Sequence, residues 1–305
     1  MIYTITLNPS IDYFVFLEQK VIEGTIVRAN TTEIRAGGKG INISMVLASI
    51  GIKTKAIMFL GGVIGQYIEN EIAKIKEIEL LKVQIDQENR INIKISNDQE
   101  TAINAIGPEV TDKQQDDLLN KLDKLNKDDY VVISGSFCKG MTADLIESIG
   151  NYVSSVGAKL ITDIPNLTLK NYQSTKPFLI KPNLDELASI FDVNIDAANY
   201  AEYVDRLIEV GVENVLVSMG KEGSYFANKY EKRKVNGPIV EVVNTVGCGD
   251  SMLAYTIAAM SQNFETVEFL KYGEAAGRAK AQTIGFPNMI DVKKMYEKVL
   301  VNKIK

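Results

Sequence analysis

The sequence predicts an α/β protein, a mostly parallel sheet covered by helices. Short runs rich in β-branched residues alternate with amphipathic stretches of helical length. Two of the runs, Val131-Val132-Ile133 and Val215-Leu216-Val217, are apolar without alternation, as strands buried on both faces must be. Polar turns containing Gly or Pro directly follow two of the runs, where open α/β sheets bind their ligands.

In chain order the predicted core strands are residues 2–7, 55–59, 130–134, 159–163, 178–180 and 214–218. A helix over 44–50 ends at Gly51, and from Gly249 onward the pattern is helical, over 251–261, 265–283 and 291–301. The last stretch, 293–305, reads as a solvated helix face. Two segments break the rhythm. Residues 13–35 and 90–106 contain extended runs with polar interruptions, Thr25-Ile26-Val27-Arg28 and Arg90-Ile91-Asn92-Ile93-Lys94-Ile95, and no helical period. They form either two separate hairpins or one small sheet over an edge of the core. No repeat, linker or low-complexity tract divides the chain, which points to one domain over 1–305.

Composition removes several function classes. With 305 residues and 46% hydrophobic side chains the chain can bury a large core. It has no histidine, which excludes Ser-His-Asp and Cys-His hydrolases and His-ligated zinc. Cys138 and Cys248 share no CxxC spacing and read as two buried thiols in a reducing cytoplasm. No secretory signal or membrane-spanning run is evident. A net charge of −5 offers no broad attraction to nucleic acid, so an anionic ligand must be held by a few local cations.

The sharpest motif is Asn244-Thr245-Val246-Gly247-Cys248-Gly249-Asp250-Ser251, running straight into an apolar helix. Two glycines around one residue let consecutive N–H groups point one way, and a helix N-terminus adds partial positive charge, so the turn can bind an anion. Asp250 is either the cap of that helix or a base beside an anion cradle. Ala36-Gly37-Gly38-Lys39-Gly40-Ile41-Asn42 also enters a helix, supplying a cation and an amide, but it lacks Walker A spacing, and no G-x-G-x-x-G occurs in the chain. Lys181-Pro182-Asn183-Leu184-Asp185-Glu186 and Ser218-Met219-Gly220-Lys221-Glu222-Gly223 follow buried strands and form a plausible nucleotide edge. Asn183 and Glu186, three residues apart, suit hydrated Mg²⁺.

These motifs, with Thr6-Leu7-Asn8-Pro9-Ser10-Ile11-Asp12 and Phe59-Leu60-Gly61-Gly62, stand in the order and spacing of the PfkB-type, ribokinase-like sugar kinases over nearly the whole chain. Within that family the chain resembles the phosphosugar branch, the 1-phosphofructokinases and tagatose-6-phosphate kinases. The resemblance implies a ribokinase-like core with a small β-sheet lid built from about 12–35 and 88–106. It implies phosphorylation of a ketohexose phosphate by ATP with Mg²⁺: fructose 1-phosphate first, tagatose 6-phosphate as the alternative, and a silent sugar-phosphate sensor third. Asp250 would be the base, and the N–H groups of Gly247, Cys248, Gly249 and Asp250 the anion hole. Asp12, Gly37, Gly38 and Asn42 would hold the sugar, and Lys39, Arg90 and Arg28 its phosphate. Lys181, Asn183, Ser218, Met219, Gly220, Lys221, Glu222, Gly223 and Gly249 would line the ATP site, with Glu186 and Asn183 orienting the metal through water. A homodimer through the lid is a further possibility in this branch. Three departures stand out: the proline-free turn over 134–140, Met45 in place of the usual Arg, and Cys248 in place of Ala.

Overall fold

A computed structural model describes residues 1–304 apart from Asp98, Gln99 and Ala197. In chain order the elements are β1 (Ile2–Thr6), β2 (Ser10–Phe16), β3 (Thr31–Gly37), α1 (Lys39–Ser49), β4 (Thr54–Leu60), α2 (Gly62–Ile72), β5 (Ile78–Gln84), β6 (Arg90–Ser96) and β7 (Glu100–Asn104). They continue with α3 (Asp112–Asn120), β8 (Tyr130–Ser134), α4 (Ala143–Ser155), β9 (Lys159–Asp163), α5 (Leu169–Thr175), β10 (Leu179–Ile180), α6 (Leu184–Phe191), α7 (Tyr200–Glu209) and β11 (Asn214–Ser218). After a 3₁₀ turn at Gly220–Glu222 come β12 (Ser224–Asn228), β13 (Lys232–Asn236), α8 (Cys248–Ser261), α9 (Thr266–Ala281), α10 (Met289–Tyr296) and β14 (Leu300–Ile304).

Ten strands form one sheet in the order β14-β13-β12-β11-β10-β9-β8-β1-β4-β5. From β11 to β5 every pairing is parallel, and β12, β13 and β14 extend it antiparallel at one edge. Helices cover both faces: one apolar cluster joins Ile5, Ile133 and Val217 to Ile146 and Leu207, and another joins Val132 and Leu216 to Leu253 and Ala276. The sheet reverses its winding between β1 and β8, and ligands of such sheets bind outside the carboxyl ends of the strands at that point. Helix α8 is apolar on all sides because α1 and α9 pack around it.

The two irregular segments combine. Strands β3-β2-β6-β7 form a separate four-stranded sheet in which β2 and β6, distant in sequence, pair in parallel. Asp98 and Gln99, inside the second predicted segment, lie outside the described residues. The register sorts its side chains by face. Asp12 lies opposite Asn92 and Asn92 opposite Asn104, whereas Tyr13 lies opposite both Ile34 and Ile93 and Ile93 opposite Ile103. One face is therefore polar and the other apolar.

Some boundaries differ from the sequence reading. Helix α1 begins at Lys39 rather than 44, since Gly38 at φ 124° turns the chain straight into it. The predicted helix over 291–301 ends at Tyr296, and residues 300–304 form β14 on the edge of β13 rather than a solvated helix face. Strands β5, β12 and β13 fell outside the six core runs. Lys305 lies outside the described residues. No helix among the described residues is long and apolar enough to cross a membrane.

Candidate functional site

The carboxyl ends of β1, β8, β9, β10 and β11 open into a cleft of about 490 Å³. Thr6, Ser136, Asp163, Lys181 and Ser218 line it from the core, and Asp12, Arg90, Asn92, Lys94 and Asn104 line it from the polar face of the small sheet. A second cavity of about 290 Å³ lies beside the 3₁₀ turn and shares Ser218 and Gly249 with the cleft. The first turn of α8 thus stands where the two meet.

That turn is built as an anion site. Gly247, at φ 81°, caps α8 without a side-chain hydrogen bond. Cys248 N–H is spent on the Thr245 carbonyl (3.2 Å), but the N–H groups of Gly249 and Asp250 have no protein acceptor among the described residues. Asp250 is 6% exposed and does not cap the helix; its Oδ2 instead accepts from Asn42 Nδ2 at 2.7 Å. Burial, followed by the nearby Asp163 carboxylate, pushes its pKa up to about 6, against the Asn42 hydrogen bond and the Lys39 and Lys181 ammoniums. A carboxylate titrating near 6 is ionised at neutral pH and still basic enough to accept a hydroxyl proton.

Asp163 is the carboxylate the sequence reading missed. It ends β9, fully buried, with Lys39 Nζ at 3.3 Å and Lys181 Nζ at 3.5 Å. Burial alone would raise its pKa, but Lys181 and Lys39 outweigh burial and hold it below the usual carboxylate value. Burial likewise works against the charge on Lys39, yet Asp163, Glu186 and Asp250 hold its ammonium above the usual value. Lys39 therefore belongs with these carboxylates rather than with the small sheet. Lys181 Nζ also approaches the anion turn, since a Cβ built on Gly249 would lie 3.1 Å from it.

Asn183 and Glu186 form a capping box on α6: Glu186 N–H donates to Asn183 Oδ1 (2.7 Å) and Asn183 N–H to Glu186 Oε2 (2.9 Å). The Asn183 amide oxygen is committed to the helix, while Glu186 Oε1 still faces the cleft, 3.4 Å from Lys39. No group of three metal-ligating side chains exists among the described residues. The donor set of Asp163 and Glu186, in which Asp163 Oδ2 accepts no hydrogen bond although Lys39 Nζ stands 3.3 Å from it, fits a divalent cation that keeps its waters and takes phosphate oxygens.

On the small sheet Asp12 Oδ1 accepts from Asn92 Nδ2 (2.9 Å) and Ser10 Oγ (3.1 Å). Arg90 Nη1 and Nη2 donate to the carbonyls of Ala105 and Asn8, and Lys94 Nζ donates to Asn104 Oδ1 at 2.8 Å. Lys94 and Asn92 went unassigned, although alternation from Arg90 puts all three on one strand face. Buried polar atoms without a hydrogen-bond partner include Thr6 Oγ1, Asn8 Oδ1, Arg90 Nε and Asn92 Oδ1, and all four residues line this cleft. So many unspent groups in one place mark a ligand site.

The remaining expectations divide. Gly38 and Asn42 line the cleft, and Gly37 lies over Asp12, since a Cβ there would come within 2.7 Å of its carboxylate. Ser218, Gly220, Lys221 and Gly223 line the second cavity. Met219 packs into the apolar core instead, and Glu222 lines neither cavity. Arg28 is exposed on the β2–β3 connection and does not line the cleft, because the chain leaves the small sheet after Phe16. Met45 lines a neighbouring hollow of about 420 Å³ that also touches Asp12 and Asn42.

Residues 5–292 match the model of the pfkB family of carbohydrate kinases. The chain belongs to that family. It is 36% identical to a 1-phosphofructokinase of Borreliella burgdorferi, over all of this chain and 99% of that one. It is 35% identical to a tagatose-6-phosphate kinase of Staphylococcus epidermidis over 92% of each. The fold is shared with the phosphofructokinase-2 of Escherichia coli solved with fructose-6-phosphate, at a TM-score of 0.89 and 23% identity over 97% of this chain and 98% of that one. The mostly parallel core sheet with its flanking helices is thus the fold of solved sugar-kinase relatives.

Proposed function

We propose that this chain transfers the γ-phosphoryl group of ATP to fructose 1-phosphate, giving fructose 1,6-bisphosphate. The observation that carries the reading is the junction of the two cavities at Gly249. A nucleotide in the cavity beside the 3₁₀ turn would bring its terminal phosphoryl group to the unpaired N–H groups of Gly249 and Asp250. A phosphosugar in the cleft would present a hydroxyl to Asp250. Phosphoryl transfer needs positioning and electrostatic stabilisation more than covalent help, which is what this arrangement supplies.

In the reaction Asp250 takes the proton from the attacking hydroxyl, and Asn42 orients its carboxylate. Asp12 and Asn92 hold sugar hydroxyls. Arg90 Nε and Lys94 meet the phosphate the sugar already carries, at the small-sheet end, while Lys39 and Lys181 steady the transferring group. Mg²⁺, held through water by Asp163 and Glu186, would neutralise charge on the nucleotide phosphates. A catalytically silent sensor is disfavoured because it would have no use for a buried base beside the anion turn.

Tagatose 6-phosphate is the second substrate considered, and the near-equal identity to kinases of both names keeps it in view. ADP release with fructose 1-phosphate, tagatose 6-phosphate, fructose 6-phosphate, ribose and adenosine separates the readings. Fructose 1-phosphate should give the highest kcat/KM; a higher value for tagatose 6-phosphate overturns the assignment, and no turnover with any of them overturns the kinase.

We also infer that the chain is a cytoplasmic homodimer joined through the small sheet. Its apolar face exposes Ile34 (44%), Ile91 (44%), Ile93 (36%) and Ile103 (55%), more apolar surface on one face than a monomer needs. Light scattering should give twice the chain mass, and Ile91→Glu/Ile103→Glu should give the monomer. A monomeric wild type refutes the dimer.

A further inference from the structure

The cavity assigned to the nucleotide holds an ion pair that phosphoryl transfer does not use. Its walls are largely apolar, with Ile239, Val240, Val242 and Met252. On α9, Glu274 and Arg278 stand one turn apart on one helix face, 2% and 8% exposed, and both line the cavity. Glu274 Oε2 accepts from Ser224 Oγ (2.9 Å) and Oε1 from Arg278 Nε (2.8 Å). Arg278 Nη2 donates to the Lys221 carbonyl at 3.1 Å. A Cβ built on Gly237 would lie 2.6 Å from Arg278 Nε, so the chain closes tightly over the pair.

These bonds leave an asymmetric wall. Each Glu274 oxygen is turned to a protein donor, and the Lys221 carbonyl already accepts from Arg278. Arg278 is different: Nη1 and the second N–H of Nη2 have no protein partner among the described residues. No Arg278 nitrogen is among the buried atoms left without a partner, so these donors reach the open cavity, where a ligand acceptor can meet them. Cys248 and Gly249 line the part of the cavity at the anion turn, whereas the partners of Arg278 are Glu274 and the 3₁₀ turn. Arg278 thus stands where the base of a nucleotide would lie.

We propose that Arg278 reads the base of the phosphoryl donor and that the site takes 6-oxopurine nucleoside triphosphates at least as well as adenine ones. The inference rests on the assignment of this cavity to the nucleotide. A 6-oxopurine presents O6 and N7 as adjacent acceptors, the pattern a guanidinium fork meets with two hydrogen bonds. Adenine presents N7 beside an amino donor at C6, which opposes the fork with a like group.

The test measures kcat/KM with GTP, ITP and ATP against a saturating phosphosugar, for wild type and Arg278→Met. It adds calorimetric titration with GDP and ADP in the absence of sugar. The wild-type GTP:ATP ratio should be one or more, and Arg278→Met should lower it about 10-fold. Because that variant strands the Glu274 charge, the double variant Arg278→Met/Glu274→Gln removes both charges and should show the same fall in the ratio. A wild type that prefers ATP by 10-fold or more, or a ratio unchanged in both variants, overturns the proposal and leaves the kinase reading standing. If no nucleotide supports turnover, the kinase reading fails by itself, and titration still decides the base: GDP binding tighter than ADP and losing that margin in Arg278→Met supports the proposal, and equal binding overturns it.

Discussion

Replacing Asp250 by Asn should stabilise the protein while disabling it. The structure buries this carboxyl and raises its pKa to about 6, against 3.8 for the exposed group. The folded state therefore holds the proton more tightly than the unfolded state. Stability from this group is fully present below 3.8 and is lost as pH rises through about 6. At pH 8 the wild type lacks roughly 3 kcal/mol that a neutral side chain would retain. Asparagine can still accept from Asn42 and carries no charge, so Asp250→Asn should raise Tm by about 5 °C at pH 8 for a chain of this size. The gain should shrink to about half near pH 5, where the wild-type carboxyl is largely protonated when folded. Calorimetric melts at the two pH values, run beside initial rates, test both halves. Turnover should fall by ~10² or more, as loss of a general base requires. A variant with near-normal turnover refutes the base. One that is inactive and no more stable at pH 8 refutes the account of a costly charge kept for catalysis.

Other consequences are open to the same tools. The pH profile of kcat/KM should fall on the acid side with an apparent pKa near 6, because Asp250 must be ionised to accept a proton; a limb near 4 would contradict the burial argument. Arg90→Ala and Lys94→Ala should each raise KM for the phosphosugar at least about 10-fold more than KM for ATP, since both line the cleft from the small sheet; equal effects would place the sugar phosphate elsewhere. Lys181→Met should destabilise the fold by about 3 kcal/mol at neutral pH, because it leaves the Asp163 carboxylate buried with one cation fewer, and urea melts read the loss. That loss should diminish as acid protonates Asp163.

The α/β class was legible because parallel strands buried on both faces leave continuous apolar runs, as at Val131-Val132-Ile133 and Val215-Leu216-Val217. The anion turn was legible because glycine's backbone freedom is local, and Gly247-Cys248-Gly249 declares it without any partner. The order of motifs carried the family resemblance, and the absence of histidine excluded any mechanism that needs an imidazole. Asp163 was not legible, since nothing in residues 159–163 says that this terminal carboxylate, rather than another strand-end residue, meets Lys39 and Lys181. The Asn183–Glu186 pair was seen, but its spacing fits a capping box as well as a metal, and only the hydrogen bonds show that the amide is spent on the helix. The residue pattern does not distinguish one small sheet from two hairpins, because β2 and β6 pair across a long stretch of chain, and such pairing depends on contacts that no local pattern encodes. Residue types and local turns were thus set by the sequence alone. Which charges face one another, and so that Asp250 meets Asn42 instead of capping its helix, was decided only when distant strand ends met around one buried cleft, where burial and neighbouring charge determine what a carboxyl can do.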